Sequence, residues 1–347
     1  MDQKERQRAV LAAIVEEYVR TNEPVGSKAL AEVLGNTVSS ATIRNDMADL
    51  SAEGYLEQPH TSAGRVPTAK AYRLYINELM QRHPLSPEKR REIEHLVEAM
   101  ADDPDKLTEN AAQALAYFTG CAAVTTSPER TGTCIRRIDW LRVSPQTAVL
   151  ILMTDAGVLQ NRLCRFDAPV SDEWLNRIGS ILSGAFVGRP LNQVDLPQIQ
   201  SLVGALGDQA LFCMPALTVF ADLVRDSCEA DVALSGQMNL LQFPDFEKQH
   251  ARQLMHFLSH RRQIARMISP AEDRKAGTRV LLGNESSLPE LNGSSLIVAR
   301  YSAGDKAGGS LGIIGPQRMD YAAAIPELEY FATLVGRILA NWTQQGG

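Results

Sequence analysis

Thr42, Arg44 and Asn45 lie within one helical turn of each other, and their types match the chemistry of base edges. Arg bonds guanine O6 and N7 in a fork, Asn bonds adenine N6 and N7, and a Thr methyl touches the thymine methyl. Ala41 and Ala48 share that side of the stretch, and small residues let a backbone approach another surface closely. Ile43, Met47 and Leu50 fall at i, i+4 and i+7, which makes the other face apolar. Ser39 or Ser40 can cap the start, with Ser40 also able to meet a phosphate, and Gly54 suits the residue just past the end. The stretch therefore reads as a helix with one face for a core and one for a DNA major groove.

The residues that follow extend the same surface. Tyr55 to Gln58 reads as a short strand, Thr61-Ser62-Ala63-Gly64 as a turn, and Arg65-Val66 as a returning strand stopped by Pro67. Arg65, with Ser62 and Gly64 at the tip, would enter or cross a minor groove. From Gln58 to Asn77 there are three basic residues (Arg65, Lys70 and Arg73) and no Asp or Glu. A local charge of +3 inside a chain of net charge −6 is what a phosphate-contacting surface needs. Lys70 and Arg73 are assigned to phosphate, as are Ser27 and Lys28 at the start of a second helix. Ser27 serves equally as an ordinary N-cap, and both roles can hold together. A small helical domain whose hairpin only covers its core would share this pattern.

Other charges oppose a purely electrostatic binder. Residues 1–80 hold nine Lys/Arg against eleven Asp/Glu, a net of −2. Asp46 and Asp49 sit in the reading helix itself. Asp46 could orient Arg44 and Asp49 could accept from a cytosine amine, or both could be solvated or paired within the protein. Affinity should then rest on base readout and on two half-sites.

Stepping outward, residues 4–21 read as a first helix with Val10, Leu11, Ile14, Val15 and Tyr18 as its buried stripe. Residues 27–34 give the second helix, and 68–82 a further one bearing Tyr72, Tyr75, Ile76 and Leu79. Three helices and a two-stranded wing make a winged helix-turn-helix over residues 1–82. Pro84, Pro87 and a charged helix fill a linker, 83–104. Residues 105–170 then read as a helix and four strands, 171–268 as mostly helical, and 269–347 as strands closed by a final helix. The fold class is α+β with several domains, in which a β-rich core is split by a helical insertion.

The stretch SATIRNDMADLSAEGYLEQPHTSAGRVPT, followed by KAYRLYINEL, resembles the winged-helix signature of the HrcA heat-shock repressors. SLGIIGPQRMDYAAAIPELEYFATLVGRIL resembles that family's C-terminal signature. The resemblance is weakest from about 170 to 270. It implies a GAF-like domain interrupted by an inserted dimerisation domain at 171–268. It also implies a homodimer on an inverted-repeat DNA operator upstream of chaperone operons. The same resemblance implies a chaperonin partner, which sets the active fraction by assisting folding.

Composition narrows the remaining classes. With 347 residues, 44% hydrophobic and 22% charged, the chain is long enough for two or three domains. No run nears ~18 consecutive apolar residues, so no membrane partner is expected, and the polar start MDQKERQR argues for the cytoplasm. The five cysteines lack CxxC spacing and read as reduced packing thiols. His256 and His260 are spaced i, i+4 but lack a third ligand or HExxH. Gly304 to Gly315 is neither a P-loop nor GxGxxG and reads as a hairpin, with a ligand-lining loop as the alternative. Ser180 and Ser183 lack the GxSxG elbow. No enzyme, cofactor or metal is expected. Two other readings stay open: a regulator in which a small metabolite controls DNA release, and an adaptor whose winged helix binds protein.

Overall fold

The computed structural model describes residues 2–60, 63–99, 104–128, 132–155, 157–195, 197–199, 201–202, 210–228, 230–268, 277–285, 288–303 and 306–345. The chain divides into two compact units. One comprises residues 1–126 with 232–347, and the other is the intervening 127–231.

The larger unit begins with three helices: α1 (Gln3–Thr21), α2 (Ser27–Val33) and α3 (Ser40–Ala52). Val10, Leu11, Ile14 and Val15 of α1 are buried as their spacing predicts, and Tyr18 is half-buried. The chain reverses after α2 at Gly35 and Asn36, both with positive φ (66° and 55°), where a glycine or asparagine pays least. The wing is β1 (Leu56–Glu57) paired antiparallel with β2 (Val66–Pro67), with Leu56 opposite Pro67. Pro67 is thus inside the second strand rather than its stop, on an edge that tolerates a missing N–H. Helix α4 (Ala69–Leu74) runs into a π-type turn at Tyr75–Leu79, and the chain is extended at Met80.

A five-stranded antiparallel sheet forms the rest of this unit. Its strands are β3 (Ala122–Thr126), β7 (Val232–Ser235), β8 (Arg279–Leu282), β9 (Ser294–Ala303) and β10 (Lys306–Pro316), in the order β7-β3-β10-β9-β8. One sheet face carries Ile297, Ala299, Leu311 and Ile313 into a core shared with the winged helix. That core also takes Ile93 and Val97 of α5 (Pro87–Ala99), Leu107 and Leu115 of α6 (Pro104–Thr119), and Leu328 and Phe331 of α11 (Tyr321–Gln345). The other face, with Leu296, Val298 and Ile314, packs on α9 (Lys248–Ser259) and α10 (Arg261–Ile268). The glycine-rich stretch lies in the β9–β10 hairpin. A Cβ at Gly308 or Gly309 would run into Tyr301, so the glycines there admit a buried tyrosine.

The smaller unit is a three-stranded antiparallel sheet of β4 (Ile135–Ser144), β5 (Thr147–Thr154) and β6 (Leu159–Arg165). Helices α7 (Asp172–Phe186) and α8 (Ala210–Cys228) cover one face. Their Leu175, Ile178, Phe186 and Phe220 share a core with Ile138, Leu150, Leu152 and Cys164. LPQIQSLVGAL, 196–206, reads as a helix and lies in part outside the described residues.

This arrangement corrects the predicted boundaries. Strands 135–165 are expected in the first part of the β-rich core, yet they form a three-stranded sheet of their own and belong with the helices that follow. The helical stretch 245–268 was assigned to the insertion, yet its apolar stripe of Leu254, Phe257 and Leu258 buries against the five-stranded sheet. Alternating hydrophobicity identifies a strand but not its partner. VALSGQMNLL, 232–241, reads as one short strand, but β7 ends at Ser235 and gives way to a helical turn, Gln237–Gln242.

Candidate nucleic-acid interface

Helix α3 is set by its cap. Ser39, not Ser40, stands at the N-cap. Its Oγ accepts from the Thr42 N–H at 3.1 Å and lies 2.8 Å from Thr42 Oγ1. Ser40 is the first helical residue and half-buried. The cap thus occupies the Thr42 hydroxyl and leaves its methyl as the natural contact. Ile43, Met47 and Leu50 are buried and fix the rotation of α3. That rotation leaves Ala41, Arg44, Asn45 and Ala48 exposed together on the opposite side. Among the described residues, neither Arg44 nor Asn45 has a hydrogen-bonding or ionic partner. Arg44, Asn45 and two small residues therefore share one open helix face.

The acidic residues of α3 are both paired within the protein. Asp46 is 1% exposed and accepts from Arg6 of α1 through both oxygens, at 2.8 and 3.0 Å. That hydrogen bond holds the Arg6 guanidinium above its usual range. Asp49 accepts from Gln7 Nε2 at 3.1 Å. The Arg6 partner was missed from sequence. The signal was present, because Asp46 falls between Ile43 and Leu50 at inward spacing, where a carboxylate requires a cation.

The wing is tied back to the body. Val25 and Arg65 exchange both main-chain hydrogen bonds at 2.9 Å, so the returning strand bridges to the loop before α2. Gly64 makes this possible, since a Cβ there would collide with the Val25 carbonyl. The half-buried Arg65 side chain has no partner among the described residues. Ser62 lies outside the described residues, as does Thr61.

The phosphate assignments fare unequally. Lys28 is exposed on the first turn of α2. Ser27 is not the cap of that helix. Gly26 is, and Ser27 is 9% exposed at the first helical position, which leaves it little reach to a ligand. Lys70 donates to the Glu53 carbonyl at 2.7 Å and lies 4.2 Å over the Tyr55 ring. It thereby satisfies the C-terminal end of α3 while remaining exposed. Arg73 is a correction. Its Nε donates to Glu285 Oε1 at 2.9 Å, its Nη2 bonds Glu285 Oε2, and Nη2 also donates to the Val280 carbonyl at 3.0 Å. The guanidinium is spent on the sheet side, and its hydrogen bond holds the Glu285 carboxyl below its ordinary range.

Away from this surface, His256 and His260 are exposed, and His260 Nδ1 lies 2.8 Å from the His256 carbonyl oxygen. No group of three or more metal-ligating side chains occurs among the described residues. All five cysteines are free thiols, and burial pushes Cys121 up to about 12 and Cys164 up to about 11. No described helix is long and apolar enough to cross a membrane.

Comparison with known proteins agrees with this geometry. Residues 3–81 match the family model of the winged helix-turn-helix transcription repressor, HrcA DNA-binding domain. Residues 105–325 match the model of the HrcA protein C-terminal domain. A heat-inducible transcription repressor HrcA of Frankia casuarinae is 37% identical over 342 residues, covering 97% of this chain and 98% of the relative. Its counterpart in Acetivibrio thermocellus is 31% identical over 327 residues, covering 94% and 93%. A crystal structure described as that of a hypothetical protein has a TM-score of 0.58 and 25% identity, covering 97% of this chain and 98% of its own. These relatives are transcription repressors rather than enzymes, and the chain belongs to the HrcA family of heat-inducible transcription repressors.

Proposed function

We propose that this chain represses chaperone operons by binding an inverted-repeat operator as a homodimer, with its active fraction set by chaperonin-assisted folding. The observation that carries the reading is the exposed face of α3, where Arg44 and Asn45 stand unpaired beside Ala41 and Ala48. Thr42 contributes its methyl. Arg65 serves the minor groove next to the close approach at Gly64, and Ser62 is proposed for the same contact. Lys28, Ser40 and the main-chain N–H groups they accompany meet phosphate, with Ser27 behind them. Lys70 reaches phosphate only by giving up its carbonyl partner, and Arg73 leaves the set. A reader of chromosomal operators works in the cytoplasm.

The antiparallel sheet with helices on both faces supports a GAF-like reading of the larger unit. Dimerisation is assigned to the smaller unit. The uncovered face of its sheet aligns Leu141, Val149 and Leu163 in one row, with Ile151 and, at the next row, Met153 and Leu159 beyond. Leu141, Leu159 and Leu163 are 59%, 61% and 48% exposed, an apolar face that favours a second copy.

The test is a DNA titration at fixed salt. It compares a spaced inverted repeat from a chaperone-operon promoter with a scrambled duplex of equal length, each with and without chaperonin and ATP. Selective binding improved by chaperonin is the expected result. Equal weak binding to both duplexes would overturn the assignment of α3.

A further inference from the structure

The stretch from Lys248 to Ile268 holds five Lys/Arg and three His and no Asp or Glu, inside a chain of net charge −6. It forms α9 and α10, whose apolar residues, among them Leu254, Phe257 and Ile264, are buried against the five-stranded sheet. Burying that side turns the polar side outward. The exposed positions whose side chains are described hold only Arg, His, Gln and Ser. Arg252, His256 and His260 recur every four residues, so they follow one row of the helix surface at a spacing of about 6 Å. Arg252 has no partner among the described residues. Arg261, which opens α10, donates to the Val232 carbonyl at 3.4 Å and has no carboxylate partner among the described residues. The nearest carboxylates in sequence are Glu247, at the N-cap of α9, and Asp245, held by Arg318 at 2.9 Å.

Cations interleaved with amide and hydroxyl side chains are the groups that contact a sugar-phosphate backbone. A protein partner would call for an apolar centre to the contact, and no apolar residue of α9 or α10 is exposed among the described residues. The row from Arg252 to His260 is about 12 Å long, and a duplex strand presents a phosphate about every 3.4 Å. The row also belongs to the same compact unit as the winged helix. Arg318 joins the two, because it bonds Asp245 just ahead of α9 and donates through Nη1 to the Val19 carbonyl of α1 at 3.3 Å. We propose that the face of α9 and α10 is a second, sequence-independent DNA contact, which takes the phosphates of duplex flanking the half-site read by α3. The proposal rests on the reading of this chain as an operator-binding repressor. It supplies, from outside the winged helix, the non-specific attraction that a domain of net charge −2 lacks.

Fluorescence-anisotropy titrations of the full chain across a salt series test this. The duplexes are the inverted repeat alone, the same repeat with random flanking sequence, and a non-operator duplex of the longer length. Arg252→Gln combined with Arg261→Gln should lower the salt slope by about two on the flanked repeat and on the non-operator duplex. It should leave the affinity for the unflanked repeat in place. Gln249→Lys combined with Gln253→Lys adds charge to the same exposed face and should raise the slope on the longer duplexes by about two. The second arm stands even if the arginine variant fails to fold. A slope that does not follow the charge on this face would overturn the proposal and leave the face to an acidic protein. Equal losses on flanked and unflanked repeats would overturn it as well. Equal binding to operator and non-operator duplexes, with the slope still following the charge, would count against α3 as the reading helix while supporting this contact.

Discussion

Arg6→Ala and Asp46→Ala remove the same ion pair, yet their costs should differ. Asp46 is almost wholly enclosed, whereas the Arg6 side chain retains 24% of its exposure. Truncating Arg6 strands a carboxylate away from water. Truncating Asp46 frees a guanidinium that can turn outward. Denaturant unfolding should therefore rank Arg6→Ala as clearly the more damaging, and an equal or reversed order would show that Asp46 reaches solvent. The same distinction decides what each charged residue of α3 does for DNA. Arg44 is exposed and unpaired, so Arg44→Ala should leave stability nearly unchanged. It should cost about 1–3 kcal/mol of operator binding and relax discrimination at one base pair. Lys28→Ala should instead weaken operator and scrambled duplex alike and lower the salt slope by about one. A titration series across salt concentrations separates the two. If Arg44→Ala bound both duplexes as the parent does, α3 would not be the reading helix.

At the scale of elements, the sequence made the winged helix legible because its signals are local. A cap serine, a three-residue apolar stripe and a terminating glycine specify α3 without knowledge of anything distant. The same locality explains the errors. Arg73 was placed with the phosphate contacts from charge density alone, but its partner, Glu285, lies 212 positions away. Strand β5 alternates cleanly, yet nothing in Thr147–Thr154 says whether its neighbour is β4 or β3. Gly64 was legible only as a turn residue. Its real constraint is the approach of the Val25 main chain, set by folding rather than by the turn. Gly64→Ala should therefore break the paired hydrogen bonds between Val25 and Arg65 and loosen the wing, leaving α3 in place. Amide exchange should speed up at Val25 and Arg65 while Met47 and Leu50 stay protected. Operator affinity should fall with less loss of sequence preference than in Arg44→Ala. Unchanged exchange at Arg65 would mean that the wing accommodates a methyl group.

For the whole molecule, charge and symmetry decide how a winged helix of net charge −2 can hold DNA. Non-specific attraction is weak for such a domain, so a single half-site should bind poorly, and a second must be recruited by a linked copy. The proposed link is the bare face of the β4-β5-β6 sheet. Leu141, Val149 and Leu163 stand opposite one another there, and a two-fold axis can bring that row onto itself in a second copy. Leu141→Glu combined with Leu163→Glu places like charges on both sides of such a contact while touching nothing in the core beneath. Light scattering should then report a monomer with unaltered secondary structure. The monomer should keep the parent's affinity for a half-site duplex and lose about a hundredfold or more on the full inverted repeat, because the second contact is no longer intramolecular. If the variant remained dimeric and held the operator, the copies would have to meet through another surface, and this sheet face would need a different occupant. If it became monomeric yet bound the inverted repeat unchanged, the premise that two half-sites compensate for an acidic domain would fail.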